Sequence, residues 1–401
     1  MKKYAPPLNA LIGIADLQAV ADLSSNVVQK VRAAMLAPTA SKTPPVFSTS
    51  ELSDLCGIEK SHVLYHAKKG TLPPGVKNGA RLEWTLKEAK QWVQSFRKDY
   101  LRDSTQAAGV VIAVANFKGG VAKTTTAAAL AQGLSLKGHK VLVIDTDPQG
   151  SLTTLFGVLP DTEVEEEQTI LPLCIGVTES IMSSIQPTYW SGIDLVAAAP
   201  FLFNAEFILP ARQKGATDFE FWRVLDHGLE DARSIYDVII IDTPPSLSYT
   251  TINALMAANG VLMPLPPNAL DFASSAQFWS LFTDVCSGLF KHGGANKKFN
   301  FVDVLLSRVD KSDAVSAAVR EWIVAAYGAR VLPVEIPKTS IAASASIGFG
   351  TVYDMTTSTA QAKTLKRARD AYDQLVQYIE MQVTGIWASD MQAMSAIGGA
   401  K

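Results

Sequence analysis

Apolar residues along the chain fall into three regimes. Ile14, Leu17, Ala21, Val28, Val31 and Met35 recur at steps of three and four, or their sum, the stripe of an amphipathic helix running to about Ala37. Ser24 interrupts the stripe. The interruption fits a short dimerising helix or a helix packed on its own domain, and not a long coiled coil. PTASKTPP, residues 38–45, reads as a linker. From Val46 to about Leu101, short apolar groups are punctuated by capping and turn residues. Ser48-Thr49-Ser50-Glu51 offers an N-cap and a following acid, Leu52 and Leu55 supply the apolar face, and Gly57 ends the helix. A second helix is predicted from Glu59 to Lys69, stopping at Gly70, so two short helices meet at a tight glycine turn. Asn78-Gly79 marks a hairpin, and Thr85 to Lys98 reads as a closing helix. From Gly109 the pattern changes again. VVIAVAN (110–116), KVLVID (140–145), DVIIID (237–242), GVLMPL (260–265) and FVDVLL (301–306) are nearly continuous apolar runs separated by helical stretches. Such runs are strands covered on both faces, which predicts an α/β fold with a mostly parallel sheet between helices.

Composition adds scale and an asymmetry. The 401 residues are 48% hydrophobic and 18% charged, enough to bury a sizeable core. No apolar run approaches the roughly 18 residues of a spanning helix, and MKKYAPPLNALIG lacks the apolar centre of a secretory signal, which predicts a protein that is neither spanning nor secreted. Cys56, Cys174 and Cys286 are far apart and fit a reducing compartment. The net charge of −2 divides unevenly: residues 1–108 carry 15 Lys+Arg against 9 Asp+Glu, and residues 109–401 carry 21 against 29. A basic front on an acidic body points to a polyanionic partner for the front.

The candidate chemistry begins at Asn116-Phe117-Lys118-Gly119-Gly120-Val121-Ala122-Lys123-Thr124-Thr125-Thr126, which follows an apolar strand and opens the alanine-rich helix AAALAQGL. Glycines let successive N–H groups curl around an anion, and the helix start adds the positive end of its dipole. Lys123 can reach the β- and γ-phosphates of a nucleotide, and the Thr124 hydroxyl can ligate magnesium. Ala122 and Phe117 stand where the strict phosphate-loop pattern has glycines. The segment instead fits the variant K-G-G-x-x-K-T, with Lys118 five residues ahead of Lys123.

That variant resembles the deviant Walker A signature of the ParA/MinD superfamily, whose usual loop has Gly where Ala122 stands. The resemblance covers about residues 109–380 and implies a P-loop NTPase fold, hydrolysis of ATP to ADP and phosphate, and ATP/ADP and Mg2+ as ligands. It implies that Lys118 crosses an ATP-sandwiched homodimer to the partner's nucleotide, and that Lys118, Gly119, Gly120, Val121, Ala122, Lys123, Thr124 and Thr125 hold the nucleotide. VLVIDTDPQG (141–150) resembles the family's next motif, in which Asp147 orients the attacking water and Asp145 sits beside the magnesium shell. VIIIDTPPS (238–246) resembles its Walker B strand, in which Asp242 holds a magnesium-bound water. PLPPNALDF (264–272) and VEIPKTSIAASASIGFGTVYD (334–354) resemble later segments, and the second places Ile336 and Pro337 at the adenine. The bland reading of both is a Pro-terminated strand and loop.

The front of the chain resembles the larger plasmid-type ParA proteins, in which a long N-terminal helix (1–37) and a winged helix-turn-helix domain (46–105) precede the ATPase domain (109–401). That likeness implies a partition protein that dimerises on ATP, binds nonspecific DNA, is stimulated by a ParB-like centromere-binding partner, and represses its own operon at a specific operator, in the cytoplasm on the nucleoid. Lys60, Ser61, His62, Tyr65, His66, Lys68 and Lys69 on the second helix, and Lys77, Asn78 and Arg81 on the wing, are the donor types that DNA contact needs. Cys56, His62 and His66 lack a fourth ligand for zinc. Arg308, Lys311, Arg320, Lys338, Lys363, Lys366 and Arg367 are candidate cations for nonspecific DNA. Two other classes compete. A membrane-cycling MinD-like ATPase would need an amphipathic anchor, for which only the stretch around Lys363 to Trp387 offers itself. An iron–sulfur ATPase would need paired cysteines, and Cys174 and Cys286 sit in no such motif.

Overall fold

The computed structural model describes residues 11, 13–36, 42–215, 219–290, 297–339, 350–355 and 362–398. The chain divides into two units, 1–42 and 43–401. The first contains helix α1, Ile14–Leu36. The helix is present as predicted, and Ile14, Leu17, Val28 and Val31 are exposed, as are its other described side chains. Ser24 returns its hydroxyl to the Val20 carbonyl.

The second unit opens with a small α-rich module. Strand β1 (Val46–Ser48) leads into α2 (Thr49–Cys56), α3 (Lys60–Lys69), the hairpin β2 (Val76–Asn78) and β3 (Arg81–Thr85), and α4 (Leu86–Phe96). The helix boundaries follow the caps. Ser48 and Glu51 form a reciprocal capping box, as do Thr85 and Glu88, and Gly57 closes α2 in the left-handed conformation at φ 65°. The pattern of apolar residues did not disclose β1, which pairs antiparallel with β3 to give a three-stranded sheet in the order β1-β3-β2. Trp84 and Trp92 anchor the module core, and both indoles donate to the single Pro73 carbonyl.

The remainder is an eight-stranded sheet between helices. In chain order it comprises β4 (Val110–Val114), α5 (Lys123–Leu136), β5 (Val141–Asp145), α6 (Ser151–Leu155), α7 (Leu171–Ile175), β6 (Gln186–Pro187), β7 (Ile193–Val196), α8 (Ala205–Gly215), α9 (Val224–Gly228), α10 (Glu230–Ile235), β8 (Val238–Asp242), α11 (Tyr249–Ala257), β9 (Gly260–Leu265), α12 (Ala269–Phe290), β10 (Phe301–Val309), α13 (Ala314–Tyr327), β11 (Val331–Pro337) and α14 (Ala362–Gly398). The sheet order is β11-β10-β9-β4-β8-β5-β7-β6, with every pairing parallel except that of the edge strand β6. All five predicted strands are present. The continuous apolar runs have the predicted cause: in β4, Val110, Ile112 and Val114 face one core while Val111 and Ala113 face the other.

The module is not a separate ball. Its residues Phe47, Leu52, Trp84 and Trp92 belong to the same apolar cluster as α5 and α14. Lys90 and Gln94 on one face of α4, with Arg97 at its C-cap, close the far end of α5. Lys90 donates to Ser135 and to the His139 carbonyl, Gln94 to the Gly138 carbonyl at 2.9 Å, and Arg97 to the Lys137 carbonyl at 2.6 Å. Lys137 is the C-cap residue of α5, and Gly138 and His139 follow it in the turn that leads to β5.

Candidate functional site

The site assembles where β4, β5, β8 and β10 end, at the carboxyl edge of the sheet, which is where open α/β sheets hold ligands. After β4, Asn116 is buried and fixes the exit: its amide donates to the Pro264 carbonyl at 2.8 Å, and its oxygen accepts from the Lys118 N–H. Phe117 packs edge-on against Phe278. The loop then turns through two left-handed residues, Gly120 at φ 76° and Ala122 at φ 75°. Alternating handedness of this kind points successive N–H groups to one side. Lys123 begins α5 and is buried, with its ammonium donating to the Lys118 carbonyl at 2.9 Å. Burial pulls its pKa below the ordinary lysine value, against the carboxylates of Asp242 and Asp147. No side chain caps α5 and no acid lies in its first turn, so its first N–H groups remain open to an anion. Lys118 and Gly119 are exposed, and Thr124 and Thr125 are half-buried at the helix start.

Opposite the loop stand the carboxylates. Asp145 and Asp242 are register partners on neighbouring parallel strands, both fully buried. Their environments differ. Asp145 accepts from the Thr153 N–H at 2.9 Å, the Thr153 hydroxyl at 2.8 Å and the Asp147 N–H at 3.1 Å. It is thus committed to folding the 146–153 turn that presents Asp147, and burial, outweighing those bonds, pushes its pKa to about 7. Asp242 has no hydrogen-bond partner on either oxygen among the described residues, although the Thr124 hydroxyl stands near it. Burial first, and the Asp145 charge second, raise its pKa well above the carboxylate range, with Thr124 and Lys123 acting the other way. A buried carboxylate with both oxygens free is costly without a cation. Hard oxygen donors of this type, Asp242 and Thr124, fit a magnesium ion. Asp147 is half-buried, one oxygen accepting from the Gln149 N–H.

Lys118, Gly119, Gly120, Val121, Ala122, Lys123, Thr124, Thr125, Asp145, Asp147 and Asp242 therefore converge. Ile336 does not join them as expected: its side chain is buried in the core with other apolar residues of β11. Pro337 lies at the strand end, lining a cleft of about 700 Å³ with Lys311, Lys338, Lys363, Lys366 and Arg367. Most of the segment after it, 340–349, lies outside the described residues. Its continuation is tied to the phosphate helix: Gln132 of α5 donates to Tyr189 and Asp354, and accepts from Thr351. In the module, Lys60, Ser61, His62, Tyr65, Lys68 and Lys69 are exposed on α3 while Val63 and Ala67 are buried; Lys77 and Arg81 are exposed on the hairpin. Cys56 is buried in the module, its thiol pushed up to about 12 by burial. Among the described residues no group of His, Cys, Asp or Glu could hold a metal by itself, and no helix is long and apolar enough to cross a membrane.

Sequence reasoning missed Thr153, the anchor of Asp145, for which a lone threonine gives no signal. It also did not foresee that Arg308, one of the candidate cations for nonspecific DNA and exposed in the structure, donates its guanidinium to the Gly120 carbonyl at 2.6 Å.

Residues 109–291 match a family model described as an AAA domain. The chain is 31% identical over 378 residues to the putative replication protein A of Sinorhizobium fredii (strain NBRC 101917 / NGR234), covering 91% of this chain and 93% of that one. It is 30% identical over 324 residues to protein SopA of Escherichia coli (strain K12), covering 79% and 82%. A solved structure described as a partition protein superposes with a TM-score of 0.66 over 93% of this chain and 98% of its own, at 16% identity, a likeness of fold.

Proposed function

The chain belongs to the family of ParA/SopA-type partition ATPases, and from that premise we propose that it is a DNA-segregation ATPase that also represses its own operon. It is an ATPase of the P-loop class, with ATP or ADP and Mg2+ as ligands. The observation that carries the reading is the open start of α5 and its left-handed loop facing the unpartnered Asp242 carboxylate, an anion site beside a cation site.

In this reading Gly119 to Thr125 bind the phosphates; Thr124, and Asp242 through a bound water, would hold a magnesium ion, whose charge would neutralise that of the phosphoryl oxygens. Lys123 supplies a fixed positive charge, and Asp147 orients the attacking water. Asp145 holds the turn that carries Asp147. The exposed Lys118 reaches the nucleotide of a second copy, so that ATP closes a homodimer. The exposed face of α3 and the hairpin read the operator, and the cations of the cleft beside Pro337 contact DNA without regard to sequence. A ParB-like centromere-binding protein accelerates turnover and releases the dimer. The protein acts in the cytoplasm, on the nucleoid.

The test is binding of the full chain to random DNA and to DNA upstream of its operon, without nucleotide, with ADP and with ATP, over a salt series. Random-DNA binding that requires ATP and weakens steeply with salt, by roughly 0.9 log units per phosphate contact per log unit of salt, supports the reading. A separate, sequence-selective mode lost on deleting residues 1–105 supports the repressor role. Absence of DNA binding in every state, with ATP-dependent sedimentation on anionic vesicles, would replace it with a membrane-cycling ATPase.

A further inference from the structure

Among the described residues only two that are not glycine adopt the left-handed backbone conformation, and both touch the phosphate loop. One is Ala122 within it; the other is Arg308, at φ 53°, near the end of β10. Side chains along a strand alternate between faces, so Ser307 and Arg308 in regular geometry point to opposite sides of the sheet. The turn at Arg308 breaks that alternation, and the pairing of β10 with β11 is irregular over the same residues, with register shifts on both sides of Leu306. The result is that two consecutive side chains reach the same loop. The Ser307 hydroxyl donates to the Val121 carbonyl at 2.9 Å, and the Arg308 guanidinium donates to the Gly120 carbonyl at 2.6 Å.

A loop that turns its N–H groups toward an anion must turn its carbonyls away and satisfy them elsewhere. Here the Lys118 carbonyl accepts from Lys123 and the Ala122 carbonyl from the Thr126 N–H, so those two are held within the loop and its helix. The Gly120 and Val121 carbonyls are held from outside, by Arg308 and Ser307. A strained backbone at a non-glycine residue persists where surrounding contacts determine it, and such residues gather at functional sites. Arg308 also faces Asp271 of α12, whose carboxyl burial raises and whose charge is balanced by Lys118 and Arg308.

We propose that Arg308, with Ser307, is a positioning residue of the phosphate loop: it holds the Gly120 and Val121 carbonyls outward so that the loop's N–H groups stay aimed at the nucleotide. This rests on the ATPase reading above and adds a role for a strand outside the recognised motifs. Because it acts through the N–H cradle, which meets the phosphates shared by ATP and ADP, its removal weakens both nucleotides together.

The experiment compares the full chain with Arg308→Gly, Arg308→Lys and Lys123→Ala. It measures equilibrium affinity for ATP and ADP with Mg2+, KM and kcat for hydrolysis, and the thermal midpoint without nucleotide. Arg308→Gly accepts the left-handed backbone and removes the side chain with its guanidinium, so the hydrogen bond is lost without backbone strain being added. It is expected to melt close to the parent, to bind ATP and ADP about tenfold more weakly, the loss of one charge-assisted hydrogen bond, and to recover part of that loss with added guanidinium ion. Arg308→Lys is expected to fall between the two. Parent-like affinity and turnover in Arg308→Gly overturn the proposal, as does a fall in midpoint with unchanged affinity. A loss confined to ATP also overturns it, because Arg308 would then meet the γ-phosphate directly. If the parent binds nucleotide no better than Lys123→Ala, the ATPase reading itself fails, and the inference falls with it.

Discussion

Arg97 and Glu380, 283 residues apart in the chain, meet as a two-pronged pair: the guanidinium donates at 2.9 Å to one carboxylate oxygen and at 2.8 Å to the other. Both side chains are nearly buried, and His139 bonds the same carboxylate at 2.8 Å. The pair joins the end of α4 to α14, across the C-terminal turn of the helix whose other end opens the phosphate site. Removing one partner from a buried pair strands the other's charge, at a cost of about 3 kcal/mol. Arg97→Ala is therefore expected to lower the thermal midpoint by several degrees. Because the module shares the apolar core of α5 and α14, the loss should appear in one cooperative transition; a separate early melt of the module would refute the shared-core view.

The same pair sets an acid limit. Burial raises the pKa of Glu380, but the hydrogen bonds from His139 and Arg97, and then their charges, outweigh it and hold it at about 2, below the ordinary 4.5. Between those values the unfolded chain binds the extra proton, so this stabilisation is complete above about pH 4.5 and disappears as pH falls toward 2. Glu380→Gln should thus be less stable than the parent at neutral pH, and the gap should close as acid is added through that window. A gap independent of pH would show that Glu380 acts by shape and not by charge.

The central strands, the phosphate loop and the helix caps were legible because each is a local pattern. A strand buried on both faces must be continuously apolar, as in VIIID at 238–242, and a left-handed helix end such as Gly57 advertises itself. The strands missed are short and draw their identity from neighbours: β1 is three residues that exist because β3 pairs with them, β7 is four residues paired between β5 and β6, and β6 is two residues at a sheet edge. The docking of α4 on α5 was hidden for another reason. Lys90, Gln94 and Arg97 are polar positions within the predicted closing helix, and only the fold reveals that they meet the carbonyls from Lys137 to His139. Within the site, Asp145 and Asp242 have the same strand-end signature; which of them is already committed depends on Thr153, and which is free is visible only in three dimensions.

Ala122 is where this loop departs from the family pattern, and its φ of 75° shows what the usual glycine is for. A β-carbon in that conformation costs about 1 kcal/mol, more for a branched side chain. Ala122→Gly should keep nucleotide affinity and not lower the midpoint, whereas Ala122→Val should lose both. Equal behaviour of the glycine and valine variants in ATP titration and thermal melting would mean that the loop rearranges freely and that the left-handed turn is not required.

Asp242 sets stability against function. Both its oxygens are buried without a hydrogen-bond partner among the described residues, and the Asp145 carboxylate lies level with it on the adjacent strand. Replacing it with asparagine removes a buried charge of that kind while keeping its shape, so Asp242→Asn should stabilise the protein without nucleotide by about 1 kcal/mol. The same change removes the anionic oxygen proposed to hold magnesium, so hydrolysis should fall by orders of magnitude and ATP should no longer stabilise the chain more when Mg2+ is added than when it is withheld. Thermal melts of parent and variant with nucleotide and Mg2+ added separately and together decide the matter. A variant less stable than its parent without ligand would mean that the Lys123 ammonium already compensates the carboxylate, and that Asp242 is a structural ion-pair member instead of a waiting metal ligand.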